Sequence, residues 1–326
     1  MRAPTAVIQT YVLGIVAWSV LFLAIAHAEQ EQPLLTHRIG VLSVPMEESL
    51  RQGLRERGYI EGKNIVIEWR RAKANDQELR LLADELVQSK VDVIVTSGTP
   101  AARAALAATT TIPVVFSAGD PVATGLATSL VKPGKNGTGV SVVSTELTAK
   151  RLDFLHQLAP RARRIAYLMN SANPLGPLQL DEARKATAVL GVELIILDSR
   201  NVPELDHALH ALQRKSVDAV LVTSDLLFHV NKSKIAEAVR RGKLPGMFPY
   251  REYLGDGMLA CYGPDLKEVA RTLAIYVDKI LKGANPADLP IDQISKYELV
   301  IDLRVARELG IKVPQDLLLR ADEVIR

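Results

Sequence analysis

Apolar and polar positions along this chain follow two rhythms that alternate with each other. Short apolar runs bounded by turn residues read as buried strands. Segments with apolar residues at i, i+3, i+4 and i+7 read as amphipathic helices. Residues 38–44 form the first such strand, 47–57 the helix behind it and 65–69 the next strand. Within 78–90 the positions Leu79, Leu82, Ala83 and Leu86 make a helical stripe. Residues 91–96 and 112–116 are two further apolar runs with an Ala-rich helix between them, which predicts a parallel βαβ unit. Pro133-Gly134-Lys135-Asn136-Gly137 breaks the pattern, and 139–143 reads as a short strand leaving this half of the chain.

The alternation then restarts. Helices are predicted over 147–158, 179–190 and 233–241, along the stripe Leu205, Ala208, Leu209 and Leu212, and along a long stripe from Leu266 to Ile280. Strands are predicted over 164–169, 192–197, 217–223 and 258–261, with 297–303 as the last. The core strands of the two halves resemble each other: Val91-Asp92-Val93-Ile94-Val95-Thr96-Ser97 matches Val217-Asp218-Ala219-Val220-Leu221-Val222-Thr223-Ser224 with one residue inserted. One sheet of this length would need more strands than open sheets usually hold, so the pattern favours an α/β protein of two similar lobes. The expected division is 29–143 with 262–326 for lobe 1 and 144–261 for lobe 2. The C-terminal segment is free to touch both.

The first 28 residues stand apart. Arg2 is the only charged side chain before Glu29, residues 12–26 are largely apolar, and Ala26-His27-Ala28 follows as a small-x-small signature. This is the layout of a secretory signal peptide cleaved after Ala28, and the run is short for a membrane span. Cys261 is the only cysteine, so no intramolecular disulfide can form, and its apolar neighbours predict a buried, inert thiol. Lys and Arg are scattered, net charge is +3 and aromatic residues are 5%, so nucleic acid is not an expected partner.

Enzyme signatures are scarce. The chain has no Gly-x-Ser-x-Gly elbow, no Walker spacing and no Gly-x-Gly-x-x-Gly after the first strand, so no nucleotide cofactor is expected. His207 and His210 share one predicted helix with no third ligand near in sequence, and they read as a solvated face instead of a metal site. Polar residues do collect elsewhere. Ser97, Thr99, Asp120, Asn170, Asn173, Ser224 and Asp225 fall at the carboxyl ends of predicted strands, where parallel sheets gather ligands. Thr99-Pro100 and Asp120-Pro121 are good N-cap and N1 pairs. The helix opened by Thr99 would offer the N–H groups of Ala101 and Ala102, with the Thr99 hydroxyl, to a carboxylate. Asp120 or Asp225 would take an ammonium group. Tyr250 and Tyr262 are the aromatic candidates for walling a ligand, while Phe248 is expected in the core.

At this point the motifs become specific. Arg51-Gln52-Gly53-Leu54-Arg55-Glu56-Arg57-Gly58-Tyr59-Ile60-Glu61-Gly62-Lys63-Asn64 resembles the first-helix signature of the ABC-transporter substrate-binding family that includes tryptophan- and tyrosine-type uptake proteins. Gly98-Thr99-Pro100-Ala101, the stretch from Gly119-Asp120-Pro121 to Leu126, Lys150-Arg151-Leu152, Asn170-x-x-Asn173-Pro174, Tyr262-Gly263-Pro264 and the stretch from Leu318 to Ile325 are similar to its later motifs, in order. The resemblance implies a type I periplasmic binding fold, two Rossmann-like lobes joined by crossover hinge segments with the ligand between them. It implies a small polar or aromatic solute, amino-acid-like or a carboxylate, held by hinge closure without catalysis. A membrane permease and its ATPase would be the partners, the location periplasmic and the protein a monomer. A ligand sensor signalling to a membrane receptor would use the same fold. In one respect the chain departs from the family: only residues 44–50 link the first strand to its helix, less than members usually have for reaching the cleft mouth.

Overall fold

The computed structural model describes residues 36–326 apart from 74, 215 and 216, so the leader expected at 1–28 lies outside the described residues. The first lobe opens with β1 (His37–Leu42), α1 (Glu47–Arg55), β2 (Ile65–Arg70), α2 (Asp76–Gln88), β3 (Val93–Ser97), α3 (Thr99–Ala108), β4 (Val114–Ala118) and β5 (Gly137–Ser141). The chain then crosses into the second lobe with α4 (Ser144–Leu158), β6 (Arg164–Met169), α5 (Gly176–Leu190), β7 (Glu193–Asp198), α6 (Val202–Arg214) and β8 (Ala219–Val222). There follow α7 (Leu226–Val230), α8 (Lys232–Arg241), β9 (Gly246–Phe248), a 3-10 turn and β10 (Ala260–Pro264). α9 (Leu266–Leu281) and β11 (Asp292–Gln293) return to the first lobe. β12 (Tyr297–Asp302), α10 (Leu303–Glu308), α11 (Gln315–Arg320) and β13 (Glu323–Ile325) complete the second.

Two sheets result. The first runs β11-β5-β4-β3-β1-β2 with every pairing parallel. The second runs β13-β12-β10-β9-β8-β6-β7 and is parallel except where β12 lies antiparallel to β10. The stretch 262–326 therefore divides between the lobes. Its first part packs with lobe 1, but β12 and β13 add two strands to the second sheet, and 297–303 is not the last strand. The sequence signal for β13 is weak because Glu323, Val324 and Ile325 are only half-buried on an edge.

Each sheet is covered on both faces, which is why its central strands read as unbroken apolar runs. In lobe 1, Val93 and Val95 face Leu50 and Leu54 of α1 and Val269, Leu273 and Val277 of α9. Ile94 faces Leu79, Ala83 and Leu86 of α2 and the alanines of α3. In lobe 2, Val220 and Val222 join Leu205, Leu209, Phe228 and Ile235 on one face, and Ala219 and Leu221 join Leu152, Leu155 and Ala183 on the other. Cys261 is buried here, its thiol pushed up to about 12 by burial. His207 and His210 are exposed on α6. No helix among the described residues is long and apolar enough to cross a membrane.

Three links join the lobes: β5 to α4, β10 to α9 and β11 to β12. Val143, in the first link, has φ +46 and ψ +42. A β-branched side chain in the left-handed region is strained, so the surrounding structure must hold this link in place.

Candidate functional site

The carboxyl ends of both sheets open on one cleft between the lobes. Lobe 1 builds its wall from the ends of β3 and β4. Ser97 and Ser117 sit side by side in the ladder, and the Ser117 hydroxyl donates to that of Ser97 at 3.1 Å. Gly98 follows with φ +89 and ψ +144, a conformation almost confined to glycine, and turns the chain directly into α3. The first N–H groups of a helix have no intrahelical acceptor, and Pro100 has none to offer. Those of Thr99 and Ala101 thus form the free donor pair at this wall, and both residues line the cleft. The Thr99 hydroxyl donates to the Gly119 carbonyl at 3.3 Å. Among the described residues, no ionisable side chain of lobe 1 lines the cleft.

Lobe 2 supplies the charge. Asp225 caps α7, is 8% exposed, and accepts hydrogen bonds from the Leu227 N–H at 2.8 Å, the Asn173 amide at 2.7 Å and the Asn170 amide at 3.2 Å. All three donors are neutral, and Asp225 forms no ion pair with any described residue. Burial pushes its carboxyl above the ordinary value, outweighing the hydrogen bonds that pull it down. Ser224 pairs its hydroxyl with that of Tyr250. Tyr250 packs against the cores of both lobes, and His229 stands edge-on to it at 6.3 Å. Burial, then the charge of Lys232, lowers the His229 imidazole to about 4, so it is neutral at neutral pH.

Seven of the ten residues expected from the sequence line this cleft: Ser97, Thr99, Ala101, Asn173, Ser224, Asp225 and Tyr250. Asn170 stands one layer back, behind Asp225. Asp120 and Tyr262 are not part of the lining. The Asp120 carboxylate accepts from the Thr145 N–H at 3.1 Å and from the Thr145 hydroxyl, so it ties the end of β4 to the start of α4. The Tyr262 ring turns outward against Phe154, edge to face at 4.9 Å, while its carbonyl accepts from Arg151 Nε at 2.7 Å. Arg151 is 2% exposed and forms no ion pair among the described residues. It holds α4 against the second interlobe link.

Sequence reasoning missed Pro45, Ser117, Gly119, Ser144, Leu175 and His229 in the lining, together with apolar Val142, Leu226, Leu266 and Val269. Pro45 shows that even the short link after β1 reaches the cleft. Gly119 has to be small, since a Cβ there would lie 2.6 Å from Leu175 Cδ1 of the other lobe. His229 had a usable signal, because it follows Asp225 by one helical turn. Among the described residues no group of three or more His, Cys, Asp or Glu could hold a metal ion.

Two doubly covered α/β lobes, crossed three times by the chain and sharing one cleft at their strand ends, define a binding protein of the type I periplasmic class. Residues 45–325 match the family of ABC transporter substrate binding proteins, and the chain belongs to that family. A tyrosine-binding protein of Clostridioides difficile is 27% identical over 77% of this chain and 72% of its own length. A conserved domain protein of Vibrio cholerae is 27% identical, with a TM-score of 0.82 over 88% of this chain and 99% of that one. An ABC domain from Streptococcus pneumonia in complex with L-Trp is 26% identical, with a TM-score of 0.81 over 89% of this chain and 100% of that one.

Proposed function

We propose that this protein delivers an aromatic α-amino acid to an ABC importer, closing its two lobes about the solute on the links near Val143, Asp265 and Lys296. The observation that carries the ligand class is Asp225: a buried carboxylate in the cleft, ringed by neutral donors and opposite the free N–H pair of Thr99 and Ala101. An ammonium group would supply the missing counter-charge, and a carboxylate would take the helix N-terminus. Tyr250 and His229 give the side chain an aromatic wall. The relatives named for tyrosine and crystallised with L-Trp support the same class. The strain at Val143 and the Asp120–Thr145 contact beside it support a hinge at the first link.

In this reading the leader is removed after Ala28, and the mature monomer works outside the cytoplasm, handing its solute unaltered to a permease. A micromolar ligand corresponds to about −8 kcal/mol, within reach of a charge-assisted pair and one buried ring. A thermal-shift screen over the twenty amino acids, their amine and carboxylate fragments, and a set of sugars and polyols tests the class, since a tight ligand raises the melting temperature by mass action. Aromatic amino acids are expected to give the largest rise. A rise only with sugars or polyols would refute the reading.

A further inference from the structure

Most polar side chains in the cleft are already bonded to one another. Ser97 is tied to Ser117, Thr99 to the Gly119 carbonyl, Ser224 to Tyr250, and Asn173 to Asp225 and the Leu175 N–H. His229 differs. Its ring lines the cleft, its Nδ1 is enclosed with no hydrogen-bond partner, and Nε2 has no bond to any described residue. Beyond it stands Tyr253, edge-on at 6.1 Å, whose enclosed hydroxyl also lacks a partner. Buried polar atoms left in this way are rare in folded proteins and disfavoured by the loss of water.

The backbone sets the reach. The His229 N–H donates to the Asp225 carbonyl at 3.0 Å, which places the two residues one helical turn apart. Neighbours at that spacing have Cβ atoms about 5–6 Å apart. An ammonium group that meets Asp225 therefore lies within one helical turn of the His229 ring, against which Tyr250 stands edge-on. Val142, Leu175, Leu226, Leu266 and Val269 make much of the remaining lining apolar, interrupted by the Ser144 hydroxyl.

We propose that His229 is a specificity-determining residue, whose imidazole Nε2 hydrogen-bonds a polar atom on the ligand's ring. The cleft then takes an aromatic amino acid bearing a hydroxyl or N–H on its ring and discriminates against phenylalanine. This rests on the amino-acid reading above. The ring is neutral at neutral pH, and no neighbour fixes the proton on Nδ1, so Nε2 can donate or accept as the guest requires. A phenol can use either sense, an indole N–H only one.

Calorimetry of the wild-type protein and of His229→Phe and His229→Gln with L-tyrosine, L-tryptophan and L-phenylalanine tests the assignment. The wild type is expected to bind tyrosine, tryptophan or both at least about tenfold more tightly than phenylalanine. His229→Phe keeps the ring and removes the nitrogen, and it should bring the three affinities within about threefold of one another. His229→Gln should keep part of the preference. Equal binding of all three by the wild type overturns the assignment, as does a preference that survives unchanged in His229→Phe. If the wild type binds none of the three, the amino-acid reading itself fails and this inference goes with it.

Discussion

The same two residues close β3 and follow directly on β8, Thr96-Ser97 in one and Thr223-Ser224 after the other, and the walls they build are opposite in character. After Ser97 comes Gly98, whose φ of +89 swings the chain into α3 so that backbone N–H groups meet the cleft. After Ser224 comes Asp225, extended at φ −151, which caps its helix with a carboxylate and buries that charge in the same cleft. One wall is neutral and electropositive through its helix terminus, and the other is anionic. A single residue after a shared strand end thus sets the sign of each wall. Together they match a molecule with one end of each charge.

The largest expected effect removes the contrast from the anionic side. Asp225→Asn keeps the shape and abolishes the charge, and the calorimetric affinity for an aromatic amino acid should fall by about 100-fold or more, because the ammonium loses a buried partner. Next comes a pH effect specific to lobe 2. The folded His229 titrates at about 4 against 6.5 for the free group, so its contribution to stability is intact above about pH 6.5 and is lost as pH falls toward 4. Urea unfolding at pH 7 and pH 4.5 should show a drop of about 2–3 kcal/mol in wild type that is absent from His229→Phe. The raised carboxyl of Asp225 acts with the opposite sign, holding its proton more firmly in the folded state, and it is common to both proteins.

Lobe 1 is more sensitive to backbone than to charge. Gly98→Ala has room for its methyl group, 3.9 Å from the nearest side-chain atom, but not the conformation. It should lower stability by about 1–2 kcal/mol in urea unfolding and weaken binding through the displaced N–H pair. The smallest effect is expected at Asp120. Its carboxylate is engaged with Thr145 outside the cleft, so Asp120→Ala should lower stability by about 1 kcal/mol and leave the affinity within about threefold. A large loss of affinity there would show that the first link governs closure.

Much of this architecture was legible because burial on both faces leaves continuous apolar strands, and the repeated Thr-Ser end marked both halves of the cleft. The family motifs added the crossovers. The short β9 and edge β13 were not legible, since Gly246–Phe248 and Glu323–Ile325 are too brief to show a period. Within the site, Asp120 and Asp225 looked equivalent: each ends a strand and can cap a helix. Only the fold shows that Thr145 takes the first while Asn170 and Asn173 steer the second into the cleft. Tyr250 and Tyr262 parted in the same way, because side-chain direction depends on neighbours such as Phe154 that are distant in sequence. His229 was missed because its one signal, a position one helical turn after Asp225, falls on a five-residue helix too short to show a period.

The central claim is that the two walls grip the two ends of one zwitterion. Calorimetry of L-tyrosine and L-tryptophan beside their deaminated and decarboxylated analogues tests it most directly. Loss of either end should weaken binding by about 100-fold, and in Asp225→Asn the deaminated analogue should come within about tenfold of the parent amino acid. An analogue lacking its amine that binds the wild-type protein as tightly as the parent would contradict the claim.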